Sequence, residues 1–307
     1  MHIPVLLNEI LKSFNPQPDE NFIDATVGDG GHAAAILEKT SPMGKLLAID
    51  RDSDSIARAR SRLKEFGNRV LFINDSFGNL ASIVKENNFS LARGVLFDFG
   101  MSSGQLVNSG RGFSFQRDEI LDMRYDTKTP ITAEDIVNDY NETELLKIFK
   151  KWGEEPRAAA IAKAIVAGRK TRIKTTRELV KIVESVKKHY GKIHPATLIF
   201  QALRIEVNQE LGEIEKALKV VPQIILNDGR AAFISFHSLE DRLIKNWSRD
   251  LEKQGVIKIL NNSDASWGRS PDRKRRGKPI TASFQELKIN PRSRSAKLRI
   301  IEKNDHN

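Results

Sequence analysis

Short, nearly continuous apolar runs alternate with amphipathic stretches through the first hundred residues. FIDATVG (22–28), LLAIDRD (46–52), RVLFIND (69–75) and GVLFDFG (94–100) read as buried strands. Between them, residues 32–40, 54–66 and 79–88 read as helices, with Ile56, Ala59 and Leu63 at helical spacing in the second. Uninterrupted apolar strands joined by helices predict a parallel sheet covered on both faces. The opening stretch, MHIPVLLNEILKSF, reads as a short amphipathic helix.

The alternation then stops. From about Gln105 to Asn208 the pattern predicts helices only: Ala133–Asp139, Glu142–Trp152, Pro156–Ala167, Thr176–His189 and Thr197–Glu210. It resumes with a helix over 213–226, a strand RAAFISFHS (230–238), a helix over 239–254, a strand VIKIL (256–260) and a last strand SAKLRIIEK (295–303). The expected organisation is a core in two parts, 1–104 and 211–307, with a helical insertion over 105–210 that recognises substrate. Ligands of open α/β sheets bind beyond the carboxyl ends of the strands, so an insertion after the fourth strand would hang over that cleft.

Composition narrows the classes. A chain of 307 residues can bury a sizeable core in one large domain or two small ones. It has no cysteine, which excludes disulfides, thiolate catalysis and cysteine-based zinc sites. The six histidines show no metal-ligand spacing, so no metal is expected. No apolar run approaches the roughly 20 residues of a membrane span. Asn8 and Glu9 interrupt the N-terminal apolar stretch, which lacks the basic start of a secretory signal, so a cytoplasmic protein without a membrane partner is expected. Of the net charge of +10, most lies at the end: from Ser266 onward there are twelve Lys or Arg against four Asp or Glu. Arg269, Arg273, Lys274, Arg275, Arg276 and Lys278, beside Trp267, suit a phosphate backbone, with a solvated loop as the alternative.

The strand ends carry the candidate chemistry. Gly28, Gly30 and Gly31 allow positive φ and close approach of a ligand, and the helix start at His32 suits an anionic group. Asp50, about twenty residues on, is placed to accept hydrogen bonds from ribose hydroxyls. A nucleoside-containing cofactor follows. Ala33 stands where the dinucleotide pattern needs its third glycine, so a ligand without pyrophosphate, S-adenosylmethionine, fits better than NAD. Asp75 either meets an adenine amino group or caps its own turn, and Phe77 is a candidate to pack on the ring. Asp98 to Gln105 (DFGMSSGQ) lies where an acceptor would sit, with Asp98 the candidate catalytic residue. Arg111, Phe113, Phe115 and Arg124 are candidates for holding an extruded nucleotide, lid packing being the alternative for the two phenylalanines. In FHSLEDR (236–242), Ser238 and Asp241 read as a helix N-cap box and His237 as a strand-end histidine.

The strings IDATVGDGGH, LLAIDRD, LFDFGMSSGQL, RGFSF, LDMRYD, GEEPRAAAIAKAIV, HPATLIFQALRIEVNQEL, ISFHSLEDR and NPRSRSAKLRI, in this order from about His2 to Ile301, resemble the RsmH (MraW) family. These are bacterial S-adenosyl-L-methionine-dependent methyltransferases acting on 16S ribosomal RNA. The resemblance implies a class I (Rossmann-like) methyltransferase core with a helical domain inserted after the fourth strand. It also implies methylation of N4 of a cytidine in the decoding region, with 16S rRNA in the small ribosomal subunit as partner. By the same resemblance Gly30, Gly31, His32, Asp50, Phe77, Asp98 and Gln105 contact the cofactor. Gly104 departs from the family, which often has proline there.

Three other classes of protein share parts of this pattern. A NAD-dependent oxidoreductase shares the strand-glycine-acid layout but not this glycine spacing. A methyltransferase of small molecules or proteins would share the cofactor site but has no use for the concentrated basic charge. A non-enzymatic ribosome-assembly factor would tolerate loss of a cofactor site that this chain retains.

Overall fold

The computed structural model describes residues 3–102, 104–188, 194–260 and 277–305. The core begins with α1 (Leu7–Phe14), β1 (Phe22–Asp24), α2 (Gly31–Lys39), β2 (Leu46–Asp50) and α3 (Ser53–Arg62). It continues with β3 (Val70–Asn74), α4 (Leu80–Glu86) and β4 (Ala92–Asp98). Five helices follow: α5 (Ala133–Asp139), α6 (Glu142–Lys151), α7 (Ala158–Gly168), α8 (Thr176–Val186) and α9 (Thr197–Asn208). The chain returns through α10 (Glu210–Ile224), β5 (Ile225–Ser235), α11 (Ser238–Lys253) and β6 (Ile257–Leu260). It closes with β7 (Ile280–Thr281), α12 (Phe284–Ile289) and β8 (Lys297–Lys303).

The eight strands form one sheet in the order β3-β2-β1-β4-β5-β8-β6, with β7 also paired to β8. Strands β1 to β5 are parallel, and β8 runs antiparallel to β5 and β6. This is the class I arrangement that the resemblance implies. Residue alternation explains why the strand sequences are apolar without a break: Leu96 and Ile234 face one buried layer, while Val95, Phe97 and Phe233 face the other. Because β1 lies between β2 and β4, successive strands depart to either side of it, and the crevice opens at that switch point.

The chain divides into two compact units, Met1–Met101 with Leu211–Asn307, and Ser102–Glu210. Within the second, three helices start on reciprocal capping boxes, Thr132/Asp135, Asn141/Glu144 and Thr175/Glu178. Leu145, Phe149, Ile161, Ile165, Leu179, Val183, Ile199 and Leu203 are all buried there. Among its described residues there is no strand, only an isolated bridge between Ile120 and Thr175. Among the described residues no helix is long and apolar enough to cross a membrane.

Beyond small shifts at other element ends, four departures from the expectation bear on the site or its surroundings. The first strand ends at Asp24, not at residue 28. Ala25 N and Val27 N still donate to Leu96 O and Ile49 O (2.9 and 2.8 Å), but Gly28 turns the chain at φ 51°. The fifth strand begins at Ile225, five residues early, and its register with β4 shifts between Ala92 and Gly94. The cap of α11 is His237 with Glu240, one residue before the expected Ser238 and Asp241, because Asp241 is held by Arg299 at 2.7 Å. Finally, β7 and α12 were not expected. A two-residue strand has no periodicity, and Phe284, Leu287 and Ile289 of α12 are exposed rather than forming a core-facing stripe. The S-x-x-E signal at Ser283 and Glu286, where Glu286 N donates to Ser283 Oγ at 3.1 Å, would have found that helix.

Candidate active site

Parallel pairing fixes which residues meet at the carboxyl edge of the sheet. Asp24 ends β1, Asp50 ends β2 and Asp98 ends β4, and β1 is the common neighbour of the other two. Three acids therefore converge around the crevice. Asp24 was not singled out in the sequence, because it sits inside an apolar run that reads as a longer strand.

Each carboxylate is held by the turn that follows it. Asp50 Oδ2 accepts from Gly28 N (3.0 Å) and Oδ1 from Asp52 N (2.9 Å), which ties the glycine turn to the tip of β2. Asp24 Oδ1 accepts from Thr26 N at 3.2 Å, and Thr26 Oγ1 accepts from Asp98 N at 2.6 Å. Asp98 Oδ1 accepts from Gly100 N at 2.9 Å. Burial pushes the Asp24 carboxyl up to about 8, with the charges of Asp98 and Asp50 adding to it. Burial also raises Asp50, to about 6, against the pull of its two backbone donors.

The glycines divide their work. Gly28 and Gly30 have φ of 51° and 77°, the left-handed region that glycine enters without strain, and Gly30 caps α2. Gly31 is the first residue of α2 and has no positive φ, contrary to the expectation. It is small because Pro4 packs on it: a Cβ there would lie 2.5 Å from Pro4 Cγ. His32 is buried, its Nε2 is 2.9 Å from Val5 O, and its Nδ1 is 4.0 Å from Asp98 Oδ2. Burial lowers its pKa despite the nearby Asp98 carboxylate.

At the end of β3, Asp75 caps its own turn, accepting from Ser76 N (2.6 Å) and Asn79 Nδ2 (2.9 Å). Ser76 Oγ donates to Glu213 of α10, a residue the sequence did not mark. Phe77 packs edge-on against Phe97 (centroids 5.9 Å apart) and tilted against Phe99 (5.7 Å).

The remaining candidates belong to the helical unit. Gln105 is buried in a π-helical turn, Gly104–Asn108, where its Oε1 accepts from Ser102 N at 2.9 Å. Arg111 is buried and donates through Nη1 to the carbonyls of Arg124 and Tyr125 (3.0 and 3.1 Å). Arg124 makes a two-pronged pair with Asp122 (2.9 and 2.8 Å) and donates to Thr127 O and Thr129 O. Phe113 stacks on Tyr125 at 5.2 Å, and Phe115 on His194 at 4.5 Å. Both arginines and Phe113 build the loop itself: the guanidinium groups bond backbone carbonyls and Phe113 stacks on Tyr125. Asn208, also unmarked in the sequence, completes this loop: its Oδ1 accepts from Tyr125 N (2.8 Å) and its Nδ2 donates to Met123 O (2.7 Å). Arg273, Lys274, Arg275 and Arg276, with Trp267 and Arg269, lie outside the described residues.

Residues 24–32 contain two acids and no Lys or Arg, and Arg58 is paired with Asp29 at 2.8 Å. A pyrophosphate finds no cation in this turn. The acids that end β1, β2 and β4 favour a cationic nucleoside ligand over a pyrophosphate, and the tip of β2 offers a fixed carboxylate to ribose hydroxyls.

A model of the MraW methylase family matches residues 1–304. The chain is 43% identical over 304 residues to a protein of Dehalococcoides mccartyi, covering 98% of this chain and 86% of that one. It is 44% identical over 303 residues to a protein of Sulfurihydrogenibium sp., covering 97% and 98%. Both relatives are named ribosomal RNA small subunit methyltransferase H.

Proposed function

The chain belongs to the MraW methylase family, and from that premise we propose that it is an S-adenosyl-L-methionine-dependent methyltransferase that modifies N4 of a cytidine in the decoding region of 16S rRNA. The observation that carries this reading is the convergence of Asp24, Asp50 and Asp98 beside the Gly28–Gly31 turn in a chain matched to the family over nearly its whole length.

S-adenosylmethionine supplies an electrophilic methyl on a sulfonium. The residues of the core that would hold it are the turn at Gly30, Gly31 and His32, the carboxylate of Asp50, the ring of Phe77, and Asp98, and the family resemblance adds Gln105. Asp50 suits the ribose, since its backbone donors hold both oxygens in place. Phe77, braced by Phe97 and Phe99, offers a fixed aromatic surface to adenine.

The chain's other task is to prepare a poor nucleophile. The lone pair of the cytosine amino nitrogen is delocalised into the ring. A hydrogen-bond acceptor on its amino hydrogens favours a pyramidal nitrogen and directs the lone pair outward. Asp98, at the end of β4 with one oxygen tied to Gly100 N, is the candidate acceptor. Holding the amino nitrogen in line with the sulfonium methyl is worth roughly 7–11 kcal/mol when the geometry is good. The helical insertion over 105–210 is proposed to recognise the RNA, and the basic run at 273–276 to bind its phosphates. Nucleoside mass spectrometry of 16S rRNA from cells lacking the gene tests the reading: N4-methylcytidine is lost and returns with the wild-type gene. Retention of the modification in those cells refutes it.

A further inference from the structure

The segment between residues 277 and 297 has five Lys or Arg against one Glu. Its helix α12 exposes an aromatic ring that no core needs: Phe284 is 73% exposed. Lys288, one turn on, places Nζ 4.7 Å from the ring centroid. Lys278, Lys288 and Arg294 are all exposed. The single acid, Glu286, points the other way, accepting from Leu6 N at 2.8 Å.

Topology places this segment at the reacting edge of the sheet. Strand β8 is antiparallel to β5, so its first residue, Lys297, pairs with Ser235 at the carboxyl end of β5. Thr281 of β7 also pairs with Lys297, so the chain leaves and rejoins the sheet at the edge where Asp24, Asp50 and Asp98 end. The N-terminal segment fixes the helix there. Asn290 Nδ2 donates to Ile3 O (3.1 Å), Pro4 packs on Gly31, and Val5 O holds His32.

From this placement we propose that α12 is a stacking platform for single-stranded RNA next to the methyl-transfer site: Phe284 stacks on a base, while Lys288 and Arg294 meet the flanking phosphates. An exposed aromatic set among cations is how proteins hold single strands without reading their sequence, because every base has a face. The one cation over the ring strengthens the same arrangement. A target base has to leave its own stack, and a flanking base held on Phe284 gives the unstacked strand a fixed course past the edge. The proposal rests on the reading of the protein as an RNA methyltransferase, and names a contact surface for that substrate.

The test is fluorescence anisotropy of the full-length protein with a labelled single-stranded oligoribonucleotide of mixed sequence, over a range of salt. Phe284→Ala and Phe284→Leu are expected to weaken binding by roughly five- to a hundredfold, and Phe284→Tyr to retain it, since stacking needs an aromatic face. Lys288→Gln is expected to lower the salt slope by about 0.7, one single-strand phosphate contact. Cofactor affinity by calorimetry stays that of the wild type in each variant, because the ring packs on no core. Phe284→Leu binding as tightly as wild type overturns the proposal, since it leaves the role to apolar contact. A fall in mass of Phe284→Ala by light scattering also overturns it, assigning the face to self-association. If the wild type binds RNA and all four variants match it, the platform is refuted while the proposed function stands. If the wild type binds no RNA, both fall.

Discussion

The imidazole of His32 joins the N-terminal segment to the candidate acceptor site: Nε2 is 2.9 Å from Val5 O, and Nδ1 is 4.0 Å from Asp98 Oδ2. A carbonyl accepts only, so Nε2 carries the proton and the lone pair of a neutral ring faces the carboxylate. Burial wins over that carboxylate and keeps the ring neutral. NMR titration of His32 is therefore expected to give a value below 6.5, and Asp98→Asn to lower it further by removing the charge that opposes burial. The sign for stability follows: a buried neutral histidine loses stability as pH falls through its unfolded value of about 6.5. A ring that titrates above 6.5 contradicts the neutral assignment.

Asp24 has the opposite pH dependence. Its folded value is about 8 against 3.8, so the folded state holds a proton that the unfolded state has released. Stability then falls as pH rises between about 4 and 8, by at most roughly 1.4 kcal/mol per pH unit. Asp24→Asn keeps an acceptor for Thr26 N and removes the titration. The melting temperature of this variant is expected to vary less over that window than the wild type. Parallel profiles would falsify the assignment of a protonated Asp24.

Asp50→Ala removes the proposed ribose acceptor and leaves Gly28 N and Asp52 N without their partner. Hydrogen bonds to charged groups are worth about 1.5–3 kcal/mol, so cofactor affinity should fall by about ten- to a hundredfold in calorimetry. An unchanged affinity removes Asp50 from the cofactor site.

Much of the core was legible because buried parallel strands are apolar on both faces, and the runs ending at Asp50 and Asp98 announce themselves. The same property hid Asp24: the apolar run continues through Ala25 and Val27 after the strand has ended. The structural part played by Arg111 and Arg124 was hidden for another reason. In sequence a guanidinium looks the same whether it faces a phosphate or two backbone carbonyls, and only the fold shows the carbonyls. Glu213 and Asn208 act across 137 and 83 residues of chain, a separation that local patterning does not carry. Pro4 on Gly31 is such a case too: the glycine signalled a turn, and what it serves is close packing.

Replacing Arg273, Lys274, Arg275 and Arg276 together with Gln should weaken RNA binding and flatten its salt dependence, by about 0.7 in slope for each single-strand phosphate that is no longer neutralised. The check is the same anisotropy titration across salt. A slope equal to that of the wild type assigns the run to a solvated loop.

The most direct measurement is transfer of labelled methyl from S-adenosylmethionine to small ribosomal subunits isolated from cells lacking the gene, followed by nucleoside mass spectrometry of the 16S rRNA. The wild-type protein should place the label in N4-methylcytidine, and Asp98→Ala should lower the rate by about a hundredfold or more, as loss of a positioned acid–base group does. Label absent from 16S rRNA with wild-type protein, or an Asp98→Ala rate equal to wild type, would contradict the proposed chemistry.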